Sequence, residues 1–170
     1  MSFAVRSVHA ACTAQATFAS PLGAMLLART ADGLAGVWFD GQKDHPGPLA
    51  APQRPHDALL ADAAAQLADY FAGRRRAFEL PLDLHGTGFQ RSVWQALLGI
   101  AAGRTRSYGE IARELGTPNA HRAVGAAVGK NPVSVIVPCH RVIGSGGALT
   151  GYAGGMARKQ ALLTLEGVPL

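Results

Sequence analysis

Apolar and polar residues along the chain fall into short blocks whose spacing predicts small elements. Residues 24–40, AMLLARTADGLAGVWFD, place two apolar runs around Asp32-Gly33. A DG pair in that position predicts two strands joined as a hairpin. Residues 41–56, rich in Pro, Gly and His, predict a loop. From Asp57 to Phe71, the residues Leu59, Leu60, Ala63, Leu67, Tyr70 and Phe71 recur at helical spacing. Gly73 ends that helix, and Arg74, Arg75 and Arg76 suit its negative end. AFELPLDL, residues 77–84, alternates as a short strand closed by Pro81. These elements make a small α+β lobe without evident chemistry.

Near His85-Gly86 the character changes. Thr87 is placed to cap a helix carrying Phe89, Val93, Trp94, Leu97 and Leu98 on one face, broken by Gly103. Ser107-Tyr108-Gly109-Glu110 fits the S-x-x-E capping box and predicts a helix from Tyr108 to Leu115. Gly116 turns the chain. Thr117-Pro118 reads as the N-cap and first residue of the next helix, which ends near Gly129. Two short helices around a glycine turn make a helix-turn-helix candidate. The second helix is built of small residues, Ala120, Ala123, Gly125, Ala126 and Ala127. Glycine inside a helix costs about 1 kcal/mol relative to alanine, so Gly125 needs a reason. Close approach to another surface is the usual one, whether a packed helix or nucleic acid. Arg122 is the only long cationic side chain among these small residues.

The totals narrow the class. A chain of 170 residues, 48% apolar, favours one domain or one plus a small lobe with a sizeable core. No apolar run approaches the roughly 18 residues a membrane span needs, so the chain reads as soluble. The two cysteines, Cys12 and Cys139, form no CxxC pair, and a reducing, cytoplasmic compartment is the simpler expectation. The Ala-rich start ends in Ala14-Gln15-Ala16, which looks like a signal cleavage site. Arg6, His9, Thr13 and Gln15, however, interrupt any apolar signal region. Net charge is +5 and uneven: residues 1–85 hold seven Lys/Arg and eight Asp/Glu, residues 86–170 nine and three. A basic C-terminal half suggests a polyanion partner, the alternative being a solvated basic face.

The chemistry centres on VIVPCHRVIG, residues 135–144, where Cys139 stands beside His140 and Arg141. A metal site would need about four paired ligands, and no second Cys/His pair follows. A buried inert thiol and a nucleophile both remain open. A nucleophile needs a base, and His140 would reach Cys139 only across a turn or through a water. A carboxylate should orient that imidazole. Of Glu110, Glu114 and Glu166, the first is occupied by its capping box. Glu166, following an apolar helix from Ala161 to Leu165, is the best candidate.

Asn131-Pro132, Ile136 to Ile143, TGYAGG from Thr150 to Gly155, Lys159 and Leu165-Glu166-Gly167 together resemble the O6-alkylguanine-DNA alkyltransferases, the methylated-DNA–protein-cysteine methyltransferases. SVWQALL, SYGEIA and HRAVGAAVGKNP extend the resemblance to about residues 89–167. It implies an α+β fold: a small N-terminal antiparallel sheet in a ribonuclease H-like lobe, residues 1–85. A mostly helical domain with a helix-turn-helix, residues 86–170, would bind DNA and transfer the alkyl group. Cys139 would take the group from O6 of guanine, with O4 of thymine as a further substrate, and act once. His140 would remove the thiol proton through a water, Glu166 would hold His140, and Asn131 would fix the turn. Tyr108 would donate a proton to the guanine ring. The base must leave the stack to reach a pocketed thiol. Arg122 would fill its place, with Ala123 and Gly125 against the minor-groove backbone. Val128, Val142, Tyr152, Ala153 and Lys159 would shape the base pocket, beside a glycine-rich loop after the cysteine. Some members carry Ser where Ala153 stands, which leaves the breadth of alkyl groups open. Double-stranded DNA carrying O6-alkylguanine is the implied partner, for a monomer needing no cofactor and no metal.

Overall fold

The computed structural model describes residues 3–170 of the chain. Helix α1 (Phe3–Ala11) leads into strands β1 (Ala14–Ser20), β2 (Gly23–Arg29) and β3 (Leu34–Phe39), an antiparallel sheet in the order β1-β2-β3. The β2–β3 hairpin turns through Asp32-Gly33, with Leu27 opposite Val37 and the Thr30 N–H donating to Gly33 O at 2.9 Å. The apolar pattern did not reveal α1 or β1; Ala14, Gln15 and Ala16 are the first three residues of β1.

Every residue of β3 is buried, because both faces of the sheet are covered. Leu34, Val37 and Phe39 join the main core with Leu60, Ala63, Leu67 and Tyr70 of helix α2 (Ala58–Phe71). Trp38 turns to the opposite face, against Val8 of α1 and Leu49. Gly36 makes room for it: a Cβ there would lie 1.8 Å from the Trp38 ring. The α2 N-cap is Asp57, which accepts from the N–H groups of Leu59 and Leu60.

Residues 77–84 are not a strand. Pro81 has no N–H, so only its carbonyl engages β3: Leu34 N–H donates to it at 2.8 Å, next to a single parallel bridge from Leu34 to Leu82.

Helix α3 (Gly88–Leu98) starts at a Thr87–Gln90 capping box and ends at Gly99, before Gly103 is reached. Val93, Trp94, Ala96 and Leu97 are its buried face. Phe89 and Leu98, expected on that face, are exposed because they fall on its margins. Helix α4 (Tyr108–Glu114) has the expected Ser107–Glu110 capping box, and Gly116 follows at φ +73. Helix α5 (His121–Gly129) does not begin at Thr117-Pro118. Those residues form a turn instead, closed by Ala120 N–H to Thr117 O at 2.9 Å, while Thr117 Oγ1 bonds back to Ala112 O. Pro118 suits the second position of such a turn. Trp94 Nε1 donates to Ala127 O at 2.8 Å and ties α3 to α5. Strands β4 (Arg106–Ser107) and β5 (Val142–Ile143) make one short parallel pair. Helix α6 (Met156–Leu165) begins five residues before the predicted Ala161. Among the described residues no helix is long and apolar enough to cross a membrane.

Candidate active site

The edge of the sheet holds the segment in front of Cys139. Val37 N–H donates to Pro132 O, and Ser134 N–H to Val37 O, each at 2.9 Å. The run Val135-Ile136-Val137 is therefore not a strand ending at Pro138. Val135 sits at φ +72, a conformation costly for a β-branched residue, and Val137 N–H donates to Val133 O. The side chain of Asn131 enforces this turn. Its Nδ2 donates to Val137 O at 2.7 Å, and its Oδ1 accepts from Val133 N–H at 2.9 Å. Pro138, at φ −84 and ψ 63, then makes an inverse γ-turn, with Cys139 N–H donating to Val137 O at 2.8 Å. One 3-10 turn, Cys139–Arg141, follows.

Cys139 is 4% exposed. Burial pushes its thiol up, opposed by the Asn131 amide beside it and the charge of Lys159. The thiol form therefore dominates at neutral pH, and ionisation requires a base. His140 is fully buried, and Nε2 lies 2.8 Å from Glu166 Oε1. Burial would raise the Glu166 carboxyl. Hydrogen bonds from His140 and Arg141 instead hold it well below the usual carboxylate range. An ionised carboxylate only accepts, so Nε2 carries the proton and Nδ1 is the free base of the neutral ring. Burial lowers His140 below the usual imidazole value, against the Glu166 bond and charge, and so favours that neutral ring. Nδ1 is buried with no hydrogen-bond partner among the described residues.

Two partners of Glu166 were not assigned from the sequence. Arg141 Nε donates to Oε2 at 3.0 Å and its NH2 to Oε1 at 2.8 Å, pairing the carboxylate with a buried permanent charge. Tyr70 of α2 donates its OH to Oε1 at 2.7 Å. Arg141 counted only as a positive neighbour of the cysteine, and Tyr70 only as an apolar helix position. A separation of 96 residues leaves no local signal that Tyr70 meets Glu166.

A cleft of about 390 Å³ is lined by Tyr108, Gly125, Val128, Tyr152 and Ala153, together with Lys43 and Asp44 of the N-terminal half. Cys139, Val142 and Lys159 do not line it; Val142 and Lys159 are wholly buried. Lys159 Nζ donates to Val142 O and to Thr150 O, at 2.6 and 2.9 Å, bracing β5 against the glycine-rich loop. Burial lowers Lys159 to about 8. Gly154 lets Tyr152 lie against the loop: a Cβ there would be 2.6 Å from its ring. Gly125 faces the Tyr108 ring, where an added Cβ would make ordinary contact at 3.7 Å, so packing within the protein does not demand glycine there. Arg122 and Ala123 stand exposed on α5.

Two family models match the chain: "6-O-methylguanine DNA methyltransferase, ribonuclease-like domain" over residues 14–84, and "6-O-methylguanine DNA methyltransferase, DNA binding domain" over residues 88–168. The chain belongs to the 6-O-methylguanine DNA methyltransferase family. Within it, a methylated-DNA–protein-cysteine methyltransferase of Mycolicibacterium paratuberculosis is 49% identical over 150 residues, 88% of this chain and 90% of its own. One from Methanosarcina acetivorans is 48% identical over 153 residues, 89% of this chain and 97% of its own. The crystal structure of Mycobacterium tuberculosis OGT in complex with DNA superposes with a TM-score of 0.84 at 48% identity, covering 90% of this chain and 92% of that one.

Proposed function

We propose that this chain repairs DNA by moving the alkyl group of an O6-alkylguanine, or of an O4-alkylthymine, irreversibly to Cys139. The observation that carries the assignment is the Cys139 turn next to a neutral, buried His140 whose unprotonated Nδ1 has no hydrogen-bond partner among the described residues. The thiol proton passes through a water to Nδ1, and Glu166 and Arg141 hold the ring. The thiolate attacks the alkyl carbon in line, an S–C bond forms and the C–O6 bond breaks. The electron pair goes to the guanine ring, and Tyr108, on the wall of the cleft, supplies a proton there. Stabilising charge that develops only as the bond breaks is where such a donor speeds the step. Asn131 fixes the turn that presents the sulfur.

Arg122, exposed at the start of α5, takes the place of the flipped base, and Ala123 and Gly125 let the helix backbone approach DNA. Val128, Tyr152 and Ala153 line the cleft for the base, while Val142 and Lys159, buried behind it, brace the glycine-rich loop. Residues 86–170 carry DNA binding and transfer, and residues 1–85 support the site. The protein acts once, as a monomer, in the cytoplasm, where its two cysteines remain free.

Duplex DNA with a radiolabelled O6-methyl group tests the assignment. The wild-type chain and Cys12→Ser should both become labelled and Cys139→Ala should not. Label on Cys139→Ala, or lesion-selective binding with no label on any chain, would overturn it.

A further inference from the structure

The N-terminal half reaches the carboxylate behind His140 through helix α2. Tyr70, near the end of α2 and 2% exposed, donates its OH to Glu166 Oε1, the oxygen that also accepts from His140 Nε2. Arg76, just beyond the same helix, donates to the Glu166 backbone carbonyl at 3.3 Å and to Ala102 O at 3.0 Å. Glu166 is thus held at its carboxylate by Tyr70 and at its backbone carbonyl by Arg76, two side chains from the lobe that lies outside the cysteine motif. The Tyr70 ring is fixed in turn, edge-on to Phe71 at 5.3 Å and tilted against Phe78 at 5.4 Å. Burial and the Glu166 charge push the phenol up, so it stays a donor at any pH the protein meets.

We infer that Tyr70 is a positioning residue for alkyl transfer, acting through Glu166 on the basicity and orientation of His140. The inference rests on the reading of Cys139 and His140 above. A donor on Oε1 draws charge from the oxygen that holds Nε2–H. Without it the carboxylate stabilises the imidazolium more strongly, and His140 holds a proton to higher pH. The groups that set this balance are Glu166 after α6, Arg141 in the same turn as His140, Lys159 of α6 and the Cys139 thiol. Among the described donors on Oε1, Tyr70 is the one that comes from the other half of the chain.

The test is the pH profile of methyl transfer from O6-methylguanine duplex DNA. Tyr70→Phe keeps the ring and removes the donor. Its acid limb should move up by about half a unit, so that transfer on that limb is slower by about threefold, with duplex affinity unchanged. Placing 3-fluorotyrosine at position 70 keeps the shape and strengthens the donor, so the limb should move down. Opposite shifts are a signature that lost packing does not produce. If Tyr70→Phe does not fold, the fluorinated protein decides alone. An unmoved limb in the folded variants, or shifts in the same direction, would overturn the inference. A wild-type chain that accepts no methyl group would instead overturn the reading on which it rests.

Discussion

Asn131 and Val137 are joined by a 2.7 Å hydrogen bond that closes the turn two residues before Cys139. The same amide accepts from Val133 N–H, so one side chain satisfies two buried backbone groups. Asn131→Ala leaves Val133 N–H unpartnered and Val137 O with the Cys139 N–H alone, at a cost of about 1–3 kcal/mol. Urea unfolding should report a loss of about 2 kcal/mol, with slower alkylation of the remaining folded protein. A loss under about 0.5 kcal/mol, typical of surface changes, would mean that the turn holds itself.

Glu166 and Arg141 form a pair that is 2% and 7% exposed, whereas Lys130 and Asp44 pair at 3.7 Å with 44% and 35% exposure. Removing one partner of a buried pair strands a charge and costs about 3–5 kcal/mol, against at most about 1 for an exposed pair. Glu166→Gln should therefore lower the melting temperature sharply, while Lys130→Ala leaves it nearly unchanged. Similar effects from the two would contradict this assignment of the network.

The same groups set the acid limit of stability. His140 is held below its unfolded value by burial, so the unfolded chain gains a proton first as pH falls through about 6.5. Glu166 is held far below its unfolded value, so its contribution is complete above the ordinary carboxylate range and is lost as pH falls through and below about 4. Melting temperature should decline from pH 7 to 5 and more steeply below 4. In His140→Gln the first part of that decline should disappear.

Arg122 is exposed at the start of α5. Arg122→Ala should leave stability within about 0.5 kcal/mol of wild type. Transfer from a base-paired lesion should fall at least about tenfold, since the flipped state loses its substitute, while transfer from the free O6-alkylguanine base is unchanged. Equal losses on both substrates would place Arg122 in the chemistry and not in base flipping.

Helix α2 was legible from the helical spacing of its apolar residues, and α4 from its S-x-x-E capping box. The Thr117-Pro118 start of α5 was misread because Pro118 serves equally as the corner of a turn. The run Val135-Ile136-Val137 has the composition of a strand, yet the Asn131 side chain supplies the bonds a neighbouring strand would, and a local pattern does not reveal that. Residues within one motif, Cys139 with His140, were visible as a candidate site. Tyr70 was not, since its hydroxyl meets Glu166 only after the two halves fold onto one core.

The central claim is one irreversible transfer to one sulfur. Intact-mass analysis after mixing the protein with excess O6-methylguanine duplex, followed by peptide mapping, tests it most directly. The account predicts a gain of one methyl group per chain, on the Cys139 peptide, with no second addition on longer incubation. A methyl group on Cys12, repeated turnover, or a protein that binds the duplex and keeps its original mass would contradict it.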